Sequence, residues 1–173
     1  MEITKLSESG LKIKSKTALF GVHPMGLKSR LACDAALLLQ HTYTSDALSV
    51  EGETVIINGP GEYEIKGIKL AGVGKGEDLG YLGRIEGVSV FVVKASSLVK
   101  SKDLMQDCQV LLIQADVLVE ENLIASSGAQ VAVLFGAHAE ESAKQLGKEV
   151  APVSKYTTTK DKLPSETEIV VLS

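Results

Sequence analysis

The sequence predicts one α/β domain over residues 1–173, in which mixed β-sheets carry helices on their outer faces. Three observations predict it. The 173-residue chain is 45% hydrophobic with a net charge of −4, a length and composition that close one core and hide about two-thirds of the unfolded surface. Its first half is a run of short strands separated by tight turns. Its second half changes period and alternates strand with helix, which sets helices against sheet faces.

The elements follow in order. Strands over 1–6 and 11–14 flank the turn Ser7-Glu8-Ser9-Gly10, with Ile3, Leu11 and Ile13 on one face. A strand over 17–22 runs into His23-Pro24-Met25-Gly26, where Pro24 biases His23 toward extended geometry. The apolar run 33–40 is too short for an independent helix and suits a strand buried on both faces. Strands over 54–58, 62–64 and 68–73 continue the pattern, broken at Gly59-Pro60-Gly61 and Lys66-Gly67. Residues 82–86 and 88–93 form a hairpin turned at Glu86-Gly87. Ser101 then caps a short helix. Strand 109–113, helix 118–126, strand 130–134 and helix 139–146 come next, the last ended by Gly147. Strands 154–158 and 168–172 close the chain around Leu163-Pro164, and no repeat or linker marks a second domain.

Composition excludes several classes of function. Eighteen basic against 22 acidic residues leave no electrostatic footprint for nucleic acid. Unbroken apolar stretches such as 35–39 are far too short to cross a bilayer, so no membrane partner is expected. The opening Met-Glu-Ile-Thr-Lys lacks the basic and apolar regions of a signal peptide, and a cytoplasmic location is expected. Cys33 and Cys108 sit in or beside apolar runs and read as buried free thiols. No CxxC spacing offers a thiolate zinc site.

The chemistry-bearing candidates are few. Ala71-Gly72-Val73-Gly74-Lys75-Gly76 follows a strand but has no Ser or Thr after Lys75, and Glu77 stands where a third Gly belongs. It reads as a flexible turn rather than a phosphate loop. There is no GxSxG elbow, and the chain has only three His residues. These three point to metal rather than to a triad. His41 ends the buried run, Asp46 follows it, His23 ends another strand, and His138 comes just after strand 130–134. Strand-end positions share one edge of the sheets, and a catalytic zinc takes three protein ligands with one open position. Against this, Thr42-Tyr43-Thr44-Ser45 adds no imidazole or carboxylate, and lone strand-end histidines commonly act as polar caps.

The segment Asn58-Gly59-Pro60-Gly61-Glu62-Tyr63-Glu64-Ile65-Lys66-Gly67 is the most specific match to a known family. With Met1-Glu2-Ile3-Thr4-Lys5-Leu6 and Leu11-Lys12-Ile13-Lys14 as first and second strands, and a tail over 152–155 and 163–172, nearly the whole chain takes part. On these residues the chain resembles a shortened member of the metallo-β-lactamase superfamily, in the branch similar to ascorbate-lactone hydrolases. The resemblance implies a truncated αββα sandwich of two mixed sheets with helices on the outer faces.

It also implies a metal loop, His-x-His-x-Asp-His, which falls on His41 to Asp46. Only His41 keeps its type; Tyr43, Ser45 and Asp46 stand where His, Asp and His are expected. The family's strand-end Asp-Pro becomes His23-Pro24, its Gly-His becomes Ser7-Glu8, its bridging Asp is replaced around Lys94-Ala95-Ser96, and its last metal His leaves His138 as a shifted relic. A two-zinc site needs several anionic and imidazole ligands to offset the repulsion of two cations, and losing even an outer-shell partner costs about 10–100-fold in affinity. The expectation is therefore a non-catalytic protein without zinc or other cofactor, acting in binding or assembly. A homodimer or a paralogue partner is expected, since a short chain leaves sheet faces or edges uncovered. The alternative is a zinc-dependent hydrolase of esters, lactones or phosphodiesters with a remodelled single-metal site of His41, Asp46, His138 and His23. A third reading places an anion in a cleft lined by Tyr43, Ser45, Lys94 and Ser96.

Overall fold

The computed structural model describes residues 1–106, 108–148 and 150–173. In chain order the strands are β1 (Glu2–Lys5), β2 (Leu11–Lys14), β3 (Leu19–Val22), β4 (Leu31–Ala32), β5 (Ala35–Leu37), β6 (Val50–Glu51), β7 (Val55–Ile57), β8 (Gly61–Ile65), β9 (Ile68–Lys75), β10 (Asp78–Ile85) and β11 (Val88–Lys94). Then come α1 (Lys102–Met105), β12 (Val110–Gln114), α2 (Glu121–Ser127), β13 (Val131–Phe135), α3 (Ala139–Gln145), β14 (Lys155–Thr157) and β15 (Glu168–Val171). One sheet has the order β14-β1-β2-β3-β5-β7, the other β15-β13-β12-β11-β10-β9-β8, and β4 and β6 form a small ribbon. Each large sheet is mixed. The β14-β1-β2-β3 and β8-β9-β10-β11 runs are antiparallel, whereas β3-β5-β7 and β11-β12-β13-β15 are parallel.

The strand period of two builds both cores. Ile3, Ile13, Phe20 and Leu37 of the six-stranded sheet meet Leu70, Tyr81, Val90, Val92, Leu112 and Val133 of the seven-stranded one. The alternate residues Phe91, Val93, Leu111, Ile113 and Leu134 point the other way, into a second layer with Leu98, Met105, Leu123, Ile124 and Ala143. Strands buried on both faces explain the unbroken apolar runs of the second half. Each fully buried Leu, Ile or Val in these layers stabilises the fold by about 2 kcal/mol.

The helices pack on the seven-stranded sheet. On the six-stranded sheet, the outer face of β3 is covered instead by the chain between β3 and β5, which includes β4. A Cβ added at Gly21 would lie 2.8 Å from Leu31 Cδ2 and 3.2 Å from Pro24 Cγ, so the covering segment rests directly on the strand. The first half has no stretch of helical period to supply a helix there.

The turn at Glu86-Gly87 joins β10 and β11 as read, with φ of 52° and 81°. Both residues take the left-handed conformation that a two-residue hairpin of this hand requires. Gly147 (φ 69°) ends α3, and its N–H donates to Lys144 O.

Several local expectations fail, among them the strand expected over 33–40, which spans only Ala35–Leu37. Gly72 and Gly74 are not in a flexible turn but in β9, where a Cβ would meet Gly59 O at 2.5 Å and Asp78 O at 2.6 Å. The glycines admit close backbone approach rather than bending the chain. Ser101 precedes α1 but does not cap it, because its hydroxyl donates back to Ser97 O at 3.0 Å. His23 is not extended; its φ is 46°, held there by its burial and by the N–H donated to Leu37 O at 2.8 Å.

Both cysteines are free, Cys108 buried and Cys33 only half-buried. Burial pushes the Cys108 thiol up to about 12. Among the described residues no helix is long and apolar enough to cross a membrane.

Candidate functional site

Parallel pairing brings several strand ends to one edge of the sandwich. Lys94 closing β11 sits beside Gln114 closing β12, and Gln114 beside Phe135 closing β13. In the other sheet Val22 of β3 pairs with Leu37 of β5, so His23 and the segment from Leu38 to His41 leave at neighbouring ends. An isolated bridge between Gln40 and Asp78 ties the two sheets together there, and the Glu77 carbonyl accepts from His41 N–H at 2.9 Å. Tyr81 adds a second tie: its buried hydroxyl lies 2.9 Å from both Leu38 O and Ile57 O.

The centre of this edge is an ion pair. Lys94 Nζ lies 3.0 Å from Asp78 Oδ1 and 3.4 Å from Gln40 Oε1, and Ser97 Oγ donates to Asp78 Oδ2 at 2.9 Å. Lys94 is 14% exposed and Asp78 29%. Partial burial pushes the Asp78 carboxyl up, but the bonds from Lys94 and Ser97 outweigh it and hold the group below the ordinary carboxylate value. Nearby His23 is 8% exposed. Its burial, reinforced by the Lys94 charge, lowers its pKa to about 4, so the imidazole is neutral at pH 7.

The four predicted metal residues reach this edge separately. His23 lies inside. His41 is half-buried, with Asn58 Nδ2 donating to its carbonyl. Asp46 is exposed on the 3-10 turn Ser45–Ala47. His138 starts α3 with Nδ1 3.5 Å from Glu141 Oε2 and a side chain that is 43% exposed. Among the described residues no three His, Cys, Asp or Glu side chains are grouped to hold a metal ion. The donor set does not fit zinc: an ammonium paired with a carboxylate stands among the strand ends, and its charge adds to the burial that lowers the pKa of the buried His23 imidazole.

Two of the four residues expected to line an anion cleft, Lys94 and Ser96, are engaged by internal partners, while Tyr43 is half-buried and Ser45 exposed. Lys94 is held by Asp78, and Ser96 bonds Asp116 through both N–H (3.1 Å) and hydroxyl (2.6 Å). Sequence reasoning missed Asp78, Gln40 and Ser97. Asp78 opens β10 beyond a glycine-rich segment; extending the register of the Glu86-Gly87 hairpin outward would have set it diagonally beside Lys94.

The Gly-Pro-Gly-Glu-Tyr segment serves packing. Tyr63 folds back so that its hydroxyl donates to Gly59 O at 2.9 Å, and Gly72 leaves room for the ring, a Cβ there lying 3.2 Å from Tyr63 Cε2.

No family model matches the sequence, and no curated protein matches it. Solved structures do. A protein of the metallo-β-lactamase superfamily from Thermotoga maritima superposes with a TM-score of 0.76 at 15% identity, over 99% of this chain and 97% of that one. The chain has the metallo-β-lactamase fold. The isothiocyanate hydrolase from Delia radicum gut bacteria is similar at a TM-score of 0.61 and 12% identity, over 91% of this chain and 99% of that one. The metallo-β-lactamase fold protein YhfI from Bacillus subtilis gives 0.57 and 9%, over 98% and 95%. At such identities the likeness extends to the fold, and the chemistry must be read from the side chains of this metallo-β-lactamase fold.

Proposed function

We propose that this chain uses the metallo-β-lactamase fold without zinc, as a non-catalytic protein acting in binding or assembly. The observation that carries the reading is the Lys94–Asp78 pair, bridged to Gln40, at the strand ends. The resemblance puts a metal-bridging carboxylate in the neighbourhood of Lys94. A lysine there brings a fixed positive charge into a region where a metal ion would need anionic ligands. It also engages Asp78, a carboxylate at the same strand ends. The ammonium supplies the cation that ties the sheets together, so no ion is needed for that task. In this reading the partner is a protein, either a second copy of the chain or a paralogue.

The test is metal content by elemental mass spectrometry, on protein purified without chelator and dialysed against trace zinc. Less than about a tenth of an equivalent, with no thermal shift on adding zinc, supports the reading; tight structural or catalytic sites stay loaded under such conditions. Near one equivalent, lost on His41→Ala, overturns it and directs work to hydrolysis of esters, lactones and phosphodiesters. For assembly, size-exclusion chromatography with light scattering should show a species heavier than 18.3 kDa. Monomer alone across micromolar concentrations removes the homodimer.

A further inference from the structure

Three buried polar atoms at this edge have no hydrogen-bond partner among the described residues: Ser7 Oγ, His23 Nδ1 and Gln114 Oε1. His23 and Gln114 are 8% and 7% exposed. Buried polar groups are almost always paired, and an orphan carries a desolvation penalty that nothing repays. Three on different elements at one place in the fold call for a common explanation.

Geometry brings the three residues together. A Cβ placed on Gly10 would lie 2.9 Å from Ser7 Oγ and 2.9 Å from His23 O, so the β1–β2 turn rests against the end of β3. Gln114 Nε2 reaches the same turn, donating to Ser9 O at 3.3 Å. Lys94 stands beside Gln114 in the parallel register, and its charge is felt at His23. The β1–β2 turn, the end of β3 and the ends of β11 and β12 therefore surround one polar junction between the two sheets.

We infer that Ser7, His23 and Gln114 line a buried hydration site, which takes ordered water, or the hydroxyl of a small neutral ligand in its place, and refuses charged molecules. The chemistry of the atoms selects this class. The Gln114 amide N–H is used on Ser9, leaving its oxygen as an acceptor that needs a donor. The Ser7 hydroxyl gives or accepts, and one neutral imidazole nitrogen does either according to its tautomer. A hydroxyl-bearing molecule meets all three demands. A carboxylate or phosphate would face the Gln114 oxygen and compete with Asp78 for Lys94. A cation would face the Lys94 ammonium. Water between such groups typically makes about three hydrogen bonds, and here it links loops of both sheets. The inference rests on the zinc-free reading, because a zinc ion on His23 Nδ1 would satisfy the same atom.

The test is a crystal structure at about 1.5 Å, with data also collected at the zinc absorption edge, from crystals grown in sodium acetate with and without ethylene glycol. The expected result is oxygen density within hydrogen-bond distance, about 2.6–3.2 Å, of each of the three orphan atoms, with no anomalous peak and no acetate. Ethylene glycol replacing that density marks the site as open to neutral ligands, and water persisting marks it as closed to them; both fit the inference. In a Gln114→Met crystal the oxygen beside position 114 disappears. A dry junction, or the three side chains repacked onto protein partners, overturns the inference and leaves the zinc-free reading standing. Acetate at the junction overturns the inference alone. A zinc peak on His23 overturns both.

Discussion

Replacing Lys94 with Met removes the ammonium from the strand-end junction while keeping most of the side-chain volume, and its cost follows from the geometry. At 3.0 Å from Asp78 Oδ1 and an effective dielectric near 20, the gross attraction is about 5.5 kcal/mol. Desolvation of both groups and the ordering of a long side chain offset much of that. Exposed pairs net about 0–1 kcal/mol and stranding one partner of a buried pair costs about 3–5, so this half-buried pair belongs between them, at about 2 kcal/mol. For a domain of this size that lowers the melting temperature by about 4–8 °C. The assay is urea unfolding of wild type, Lys94→Met, Asp78→Asn and the double variant, read as a double-mutant cycle. The expected coupling is about 1–2 kcal/mol. The same Lys94→Met protein, titrated by NMR, should show His23 protonating at a higher pH than its wild-type value of about 4. It stays below 6.5, because burial is the larger cause of the depression. A coupling below about 0.3 kcal/mol, or a His23 midpoint unmoved by the substitution, would refute the reasoning that Lys94 governs this edge.

Other outcomes follow from single features. His23 has a folded pKa lowered from 6.5 to about 4, so between those values the unfolded state binds the extra proton and stability is lost as pH falls. The loss saturates at about 3 kcal/mol near pH 4. His23→Asn, which tolerates the positive φ, should flatten urea-unfolding midpoints over that window; an unchanged slope refutes the assignment. Tyr81→Phe strips a hydroxyl from Leu38 O and Ile57 O and should cost about 1–3 kcal/mol in the same assay, with wild-type stability as the contrary result. Gly72→Ala drives a Cβ to 2.5 Å from the Gly59 carbonyl oxygen and should cost about 1–3 kcal/mol; a variant within about 0.5 kcal/mol of wild type would show that β9 and the Gly59 turn separate easily.

The order of strands and helices was legible in the sequence because period and punctuation are local. Residues 88–93 and 130–134 read as strands from their β-branched and apolar content, within a residue of the observed β11 and β13, and Glu86-Gly87 and Gly147 read as turn and helix end from the conformations glycine permits. The metallo-β-lactamase fold was legible in the resemblance carried by the 58–67 segment, since its glycines and Tyr63 record packing demands of β8 and β9. The expectation that strand ends share an edge held as well, because parallel strands must end together. What the sequence left undecided was which side chains meet at that edge. His23, His41, Asp46 and His138 are alike as strand-end polar residues on paper, yet one is buried, one half-buried and two reach solvent on separate loops. Gln40 and Ser97 gave no local sign of their role, because one comes from the other sheet and one lies beyond the end of β11; the Asp78–Lys94 pair follows from extending the β10–β11 hairpin register past the residues 82–93 that the sequence pattern marks. Local pattern determined the elements, and the hairpin register of β10 and β11 sets Lys94 beside Asp78; only the packing of the two sheets brought Gln40 onto that pair and shielded it, because contact between sheets is set by distance in space and by the water that burial removes.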